Sequence, residues 1–146
     1  MKALSFIIVL LIFSSFIFTS DNEIIYDGLE AEHYHQKKTL FGNSLKASYK
    51  IASGDISKEI STESASPLIL SYSIKTTVGK ATILIERDGE VVWKKKFDKG
   101  TTAKANNCII QLPEKSDYLI TIGLEQATGE YNLKWKTDPK KIKNAR

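Results

Sequence analysis

The stretch from Leu68 to Phe97 constrains the fold more than any other part of the sequence. Apolar residues alternate with more polar ones along it, as in Ala81, Ile83 and Ile85, and the alternation resumes after the pair Asp88-Gly89. A period of two is typical of β-strands that bury one face. An Asp-Gly pair between two such runs predicts a hairpin, because a type I′ turn requires positive φ at both central residues. This stretch therefore predicts antiparallel β-structure.

The same alternation continues on both sides of this stretch. From residue 39 onward it indicates about eight short strands, separated by clusters such as Ser53-Gly54-Asp55, Val78-Gly79-Lys80 and Gln126-Ala127-Thr128-Gly129. We interpret these clusters as turns, because glycine and small polar residues favour chain reversal. We find no segment whose apolar residues recur with the helical period.

Each predicted strand has one apolar and one polar face, which is typical of antiparallel sheets that pack together. The sequence therefore predicts an all-β chain with a single antiparallel β-sandwich of jelly-roll type over residues 39–137. Its predicted core contains Leu70, Tyr72, Ile83, Ile85, Val91, Trp93, Ile110, Ile120, Ile122, Leu133 and Trp135.

The N-terminal part of the chain differs from this central region. Residues 1–20 carry one lysine and a long apolar run before Thr19-Ser20-Asp21, which is the plan of a secretory signal peptide. The bulky Ile17 or Phe18 would lie two positions before the last leader residue, so retention as an N-terminal anchor stays open. Residues 21–38 lack a sustained period and are interpreted as a linker or arm. We expect the folded part to be extracytoplasmic, either secreted or anchored by the uncleaved segment.

The charge of the chain is modest and unevenly distributed. Lysine and arginine number 21 against 17 aspartate and glutamate residues, for a formal net charge of +4. Residues 138–146 form a basic tail with Lys140, Lys141, Lys143 and Arg146. Such a tail is either a solvated end or a segment that attracts an anionic cell-wall polymer, a membrane surface or another envelope protein. The small net charge of an exported chain argues against nucleic acid as the partner.

The single cysteine, Cys108, excludes an intramolecular disulfide. It lies in step with Ile110 and Leu112 on an apolar strand face, so we expect a buried structural thiol rather than a reactive one. Pairing between two chains is the alternative that the sequence leaves open.

Few residues are spaced for metal binding or catalysis. His33 and His35 would share one face of an extended segment, but a metal site requires three or four ligands, so the pair is only a weak candidate. We see no nucleophile supported by a base and an orienting group, and carboxylate pairs are not visible in a sequence. The expected protein is not an enzyme and needs no cofactor; a hydrolase is the less favoured alternative.

Two tryptophans are the better candidates for binding. Trp93 and Trp135 lie on predicted strands, where an exposed indole could stack on a sugar ring. Both are also in step with apolar neighbours, and a tryptophan in that position is usually part of the core.

Several framework segments also carry a family resemblance. They are Leu68–Ile74, Gly79–Ile83, Gly89–Trp93, Asp117–Ile122 and Ala127–Trp135. Their order resembles that of small exported β-sandwich proteins of Gram-positive bacteria, most of which are uncharacterised. The last two segments also resemble the jelly-roll pre-peptidase C-terminal domains of secreted proteases. The resemblance implies the fold and an exported location, and it brings no catalytic residue.

The sequence thus predicts a non-enzymatic, exported or cell-surface β-sandwich module that acts by contact with an envelope component or a protein partner. The main alternative is a carbohydrate-binding module that uses Trp93 or Trp135.

Overall fold

The computed structural model describes residues 23–37 and 43–137, and the described chain consists of antiparallel β-strands and short connections. The strands are β1 (Ile24–Gln36), β2 (Ser44–Ser61), β3 (Ser66–Arg87), β4 (Glu90–Phe97), β5 (Thr101–Leu112) and β6 (Asp117–Thr137). Among these residues we find no helix with the length and apolar character needed to cross a membrane.

All six strands belong to one sheet with the order β1-β2-β6-β3-β4, and β5 also pairs with β3. The N-terminal part of β3, residues 66–76, pairs with β5, whereas its C-terminal part, residues 81–87, pairs with β4. The sheet therefore has two halves, and β1, β2, β6 and β3 each contribute one part to either half. We call them the β4 half and the β5 half.

The two halves meet at a line of irregularities in the long strands. Register shifts occur between Tyr49 and Ala52 in β2 and between Thr76 and Lys80 in β3. Gly54 and Gly79 have φ angles of 122° and 71° at this line. Because β-bulges bend a strand and increase its twist, these shifts let the one sheet fold over itself.

The two halves pack as a sandwich around one core. Buried side chains from both halves form a single cluster, with Ile83 and Ile122 from one half and Leu70 and Leu133 from the other, all fully buried. Two aromatic contacts join the halves, Tyr26 with Tyr34 and Tyr72 with Phe97, with ring centroids 6.1 and 5.5 Å apart. The predicted all-β antiparallel sandwich is confirmed.

The number of strands differs from the prediction of about eight. The strands predicted on either side of Ser53-Gly54-Asp55 are two parts of β2, and the same holds for Val78-Gly79-Lys80 in β3 and residues 126–129 in β6. These clusters are bulges, not chain reversals. Asp88-Gly89 is a hairpin turn as predicted, because both residues have positive φ, 51° and 78°.

Within residues 21–38, interpreted from the sequence as a linker or arm, Ile24–Gln36 form strand β1 and pair with β2. A register shift between Asp27 and Glu30 interrupts the alternation, and β1 is an edge strand that is mostly exposed. Both features remove the pattern that identifies a strand in a sequence. The predicted leader, residues 1–20, and the basic tail, residues 138–146, lie outside the described residues.

The predicted core is correct except at edge strand β4 and at Tyr72. Val91 is 55% exposed, and Trp93 and Tyr72 are half-buried. A register shift between Ile85 and Glu86 places Val91 opposite Glu86. Cys108 is half-buried rather than buried, because β5 is also an edge strand.

Candidate functional site

The two tryptophans do not form an exposed platform. Trp135 is 6% exposed and faces the core beside Leu70, as predicted for a core residue, so its indole is not available to stack on a sugar. Trp93 is half-buried beside Ile85 and packs against the core cluster. It presents at most part of its indole ring to solvent, at the edge of the β4 half.

The two histidines lie on β1, and both are exposed. His33 is opposite Lys50 and His35 is opposite Ser48, so neither faces a carboxylate across the strand pair. Within the described residues no three His, Cys, Asp or Glu side chains come together as a metal site would require. The predicted tail residues Lys140, Lys141, Lys143 and Arg146 lie outside the described part of the chain.

A cluster of lysines on the outward side of the β5 half was not predicted. We call it the lysine face, and it consists of Lys37, Lys46, Lys75, Lys104, Lys134 and Lys136. The strand alternation fixes this direction, since side chains on neighbouring positions point to opposite faces. Lys46 lies between buried Leu45 and Ala47, and buried Trp135 lies between Lys134 and Lys136.

The lysines surround a polar centre. Lys46, Asn132, Ser73 and Lys104 lie opposite one another in a row across β2, β6, β3 and β5. Lys134 lies in the next row, opposite Ser71. Asn132 and the serines of β3 therefore lie between three ammonium groups, with further lysines at the margin.

The surface of the lysine face has three shallow depressions of about 190, 210 and 230 Å³. Their linings combine lysine side chains with Ser71, Ser73, Asn106 and Asn132. Hydroxyl and amide groups both donate and accept hydrogen bonds, and ammonium groups donate. The face can thus make many hydrogen bonds to a polar ligand laid across the strands.

The lysine face is strongly positive. None of its six lysines forms an ion pair in the described ranges, and Glu130 is the one described acidic residue at its outward positions on β2, β6, β3 and β5. By contrast, Lys50 at the margin is paired with Glu32, with 3.4 Å between Nζ and Oε2. The unpaired ammonium groups are available to an anionic ligand.

The opposite outer surface, on the β4 half, has the reverse charge balance. Its outward charged residues are Asp27, Asp55, Glu59, Glu86, Asp117 and Glu125 against Lys80, Lys94 and Lys96. The molecule is therefore polarised, with a positive face and a mildly negative face. The formal net charge of +4 conceals this separation.

Hydrogen bonds below the lysine face hold one of its strands in place. The hydroxyl groups of Tyr34 and Tyr131 are 2.7 Å apart, and Tyr34 also donates to Oε1 of Gln36 at 2.7 Å. Because Tyr34 has one hydroxyl hydrogen, Tyr131 must be the donor in the first bond. Gln36 in turn donates from Nε2 to the carbonyl oxygen of Lys46, at 3.0 Å. Burial raises the pKa of Tyr34 to about 12 and also raises the pKa of Tyr131.

Asn132 has a polar atom that the fold leaves unpaired. Its Oδ1 atom is buried and has no hydrogen-bond partner among the described residues. Leaving such an acceptor unpaired costs about 1–3 kcal/mol. A donor group supplied by a ligand would satisfy it once the surrounding side chains moved aside.

Comparison with known proteins supports the fold and gives no family. No protein-family model matches the chain, and no curated protein matches it. Among solved structures, one titled "CBM4 structure and function", a carbohydrate-binding module, is similar with a TM-score of 0.55 and 8% identity, over 83% of this chain and 90% of that one. The active domain of tailspike protein 4 from bacteriophage CBA120 has a TM-score of 0.50 and 12% identity, over 84% of this chain and 20% of that one. At these identities the likeness establishes the fold, a β-sandwich of jelly-roll type.

Proposed function

We propose that this chain is a non-catalytic, extracytoplasmic β-sandwich module that binds a carbohydrate polymer through its lysine face. The observation that carries the proposal is the face itself, on which lysine, serine and asparagine side chains from adjacent strands line neighbouring shallow depressions that share lining residues. A polymer with many hydroxyl groups fits such a surface, because each sugar can both donate and accept hydrogen bonds. The fold likeness to CBM4 supports the same assignment.

This proposal favours the sugar-binding alternative over a contact module of unspecified partner. It also moves the site from the tryptophans to the strand surface. Trp135 is buried, so an indole platform made of both tryptophans is not available. An envelope polysaccharide would satisfy both interpretations, because it is a carbohydrate and an envelope component at once.

The non-catalytic part of the proposal has one specific rival. Asp27 and Asp55 lie directly opposite each other on β1 and β2, on the outward side of the β4 half. Burial raises the pKa of Asp55, and the charge of Asp27 raises it further. A pair of neighbouring carboxyl groups is what a glycosidase uses. Asp55 lines a depression that also contains Thr82 and Lys94, so a hydrolase would act there and not on the lysine face.

A binding assay with an activity control tests the proposal. The purified full chain is mixed with soluble and insoluble polysaccharides, bound protein is quantified, and released reducing sugar is measured in the same tubes. We expect retention by at least one carbohydrate polymer and no release of sugar. No binding to any polysaccharide would contradict the function. Sugar release that disappears in the Asp55→Asn variant would show that the chain is a hydrolase.

Three variants locate the binding surface. Replacing Ser73 and Asn132 by alanine removes hydrogen-bonding groups from the lysine face, so we expect about tenfold weaker binding. Thr82→Ala is the matched control on the opposite outer surface and should leave binding unchanged. If instead Trp93→Ala alone abolishes binding while the protein stays folded, the site is the edge of the β4 half.

The extracytoplasmic location rests on residues 1–20 of the sequence. Fractionation of expressing cells should recover the protein outside the cytoplasmic membrane or attached to it. Recovery of folded protein mainly in the cytosol would contradict this part of the proposal.

A further inference from the structure

From the lysine face we infer the class of carbohydrate, an inference that rests on the proposed function. We propose that the ligand is an acidic polysaccharide, whose carboxylate or sulfate groups pair with Lys46, Lys104 and Lys134 while its hydroxyl groups bind Asn132, Ser71 and Ser73. The prediction from sequence assigned attraction to anionic polymers to the tail, whereas this inference assigns it to the folded sheet.

The geometry gives the three lysines separate positions around one centre. Neighbouring strands lie about 4.8 Å apart, so Lys46 on β2 and Lys104 on β5, three strands further along the row, are about 14 Å apart at their backbones. Lys134 lies diagonally beside Lys46, because the residues opposite Lys134 and Asn132 are Ser44 and Lys46. Three charges at different places on a surface match a polymer that repeats its negative charge better than a single small anion.

The hydrogen-bonding groups between the lysines fit a sugar. Asn132 and Ser73 lie opposite each other in the middle of a row across the strands. Lys46 and Lys104 are the two ends of that row. A flexible lysine supplies a point charge without a fixed geometry, so recognition of individual hydroxyl groups falls to the amide and the serines. The unpaired Oδ1 of Asn132 is an acceptor that a sugar hydroxyl could satisfy.

Two other polyanions fit the face less well. Single-stranded nucleic acid is usually held by a basic groove together with aromatic side chains on which successive bases stack. The described outward strand positions of the lysine face carry no aromatic residue. The aromatic residues that border the depressions, Tyr72, Tyr131 and Trp135, belong to the core or pack against it. Proteins that bind anionic membranes usually insert apolar side chains beside their basic residues. Here the centre of the face is occupied by Asn132, Ser71 and Ser73, and the one large, exposed apolar side chain at its described outward positions on β2, β6, β3 and β5 is Ile109, in the row of Ile69 and Lys136 at the β5 edge.

The test compares three variants that each remove three positive charges. The face variant is Lys46→Gln, Lys104→Gln and Lys134→Gln. The opposite-face variant is Lys80→Gln, Lys94→Gln and Lys96→Gln. The tail variant is Lys140→Gln, Lys141→Gln and Lys143→Gln. Because the change in net charge is the same, any difference between them reports the place of binding and not the total charge.

Binding is measured for the full chain and each variant with defined probes. The probes are polygalacturonate, which carries carboxylates, dextran sulfate, which carries sulfates, uncharged dextran and galactan, oligothymidine, and phosphatidylglycerol vesicles. Titrations between about 50 and 200 mM salt give the number of ionic contacts, because the affinity falls more steeply with salt when more charges pair. Circular dichroism and urea unfolding confirm that each variant is folded.

We expect the full chain to bind polygalacturonate or dextran sulfate at least about tenfold more tightly than the uncharged polymers. The face variant should lose about tenfold or more of that affinity and should show a shallower salt dependence, whereas the other two variants should change it by less than about threefold.

The failures of this inference and of the proposed function are distinguishable. Equal binding to charged and uncharged polysaccharides, with no loss in the face variant, would overturn the acidic ligand and keep a carbohydrate module. Tighter binding to oligothymidine or to vesicles than to either acidic glycan would overturn the inference as well. A loss confined to the tail variant would do the same by placing the attraction in the tail. Binding to no carbohydrate of any kind would overturn both.

Discussion

At the scale of single residues, Ile51 is the clearest point of strain. Its φ angle is 48°, in the left-handed region, and its side chain is 43% exposed. A β-branched residue is rarely found there, since the conformation costs about 1–2 kcal/mol. The backbone is held by a hydrogen bond from its N–H to Oγ1 of Thr128, at 3.0 Å. Asparagine tolerates this conformation, so Ile51→Asn should raise the free energy of unfolding by about 1 kcal/mol.

Urea unfolding measures this change, and Ile109→Asn is the matched control. Ile109 is 53% exposed on β5 and is not among the residues with positive φ. The same substitution there relieves no strain and removes a good strand former, so stability should fall slightly. A loss of stability at Ile51 as large as that at Ile109 would mean that the left-handed conformation carries no strain.

The same scale shows which site residues a sequence can reveal. Trp135 alternates with Lys134 and Lys136, so the pattern already fixed that the tryptophan and the lysines point to opposite faces. The sequence also indicates which face meets the core, because Leu133 is in step with Trp135. The sequence does not reveal that Lys46, Lys104 and Lys134 lie on one surface. This arrangement depends on the strand order β2-β6-β3-β5, which brings together residues that are far apart in the chain.

At the scale of elements, the bends in the long strands depend on particular glycines. Gly79 has a φ of 71°, and a Cβ atom there would overlap the carbonyl oxygens of Glu125 and Gln126 on β6. Gly100 has a similar φ of 80°, with open space around it. Gly100→Ala should therefore cost only the conformational penalty of about 1 kcal/mol. Gly79→Ala adds backbone overlap and should cost at least about 2 kcal/mol more.

The pair is compared by chemical unfolding under the same conditions. Equal losses would show that the backbone of β6 moves aside at the bend without penalty, contrary to the tight packing in the structure.

These glycines also explain how far the strands could be predicted. Alternation located nearly every strand half correctly, because one face of each half meets the core. Whether the chain reverses or only bends at a glycine cannot be decided locally, since positive φ serves both a turn and a bulge. The answer lies in β6, which pairs continuously with β3 past Gly79 apart from the register shifts there. Strand β1 was not predicted for a related reason, because a bulge interrupts the alternation of its side chains.

At the scale of the whole molecule, tyrosines close the β1 edge of the sandwich and link its stability to pH. Tyr26 and Tyr34 join the two halves, and Tyr49 and Tyr131 lie behind them in the β5 half. Burial raises the pKa of Tyr34 and of Tyr49 to about 12 in each case. The Tyr49 hydroxyl is buried with no hydrogen-bond partner among the described residues.

The folded protein therefore holds these phenol protons more tightly than the unfolded chain, whose tyrosines have a pKa of about 10. This stabilisation is complete below about pH 10 and is lost as the pH rises toward 12. Each such tyrosine contributes a loss of about 1.4 kcal/mol per pH unit.

We expect the free energy of unfolding to fall steeply between about pH 10 and pH 12. Tyr49→Phe should make that fall shallower by about one tyrosine's share. Tyr26→Phe is the control, since its ring is 48% exposed and its share should be smaller. If the wild-type and Tyr49→Phe proteins lose stability in parallel above pH 10, the hydroxyl of Tyr49 ionises as readily in the folded protein as in the unfolded chain, and the tyrosines do not couple this edge to pH.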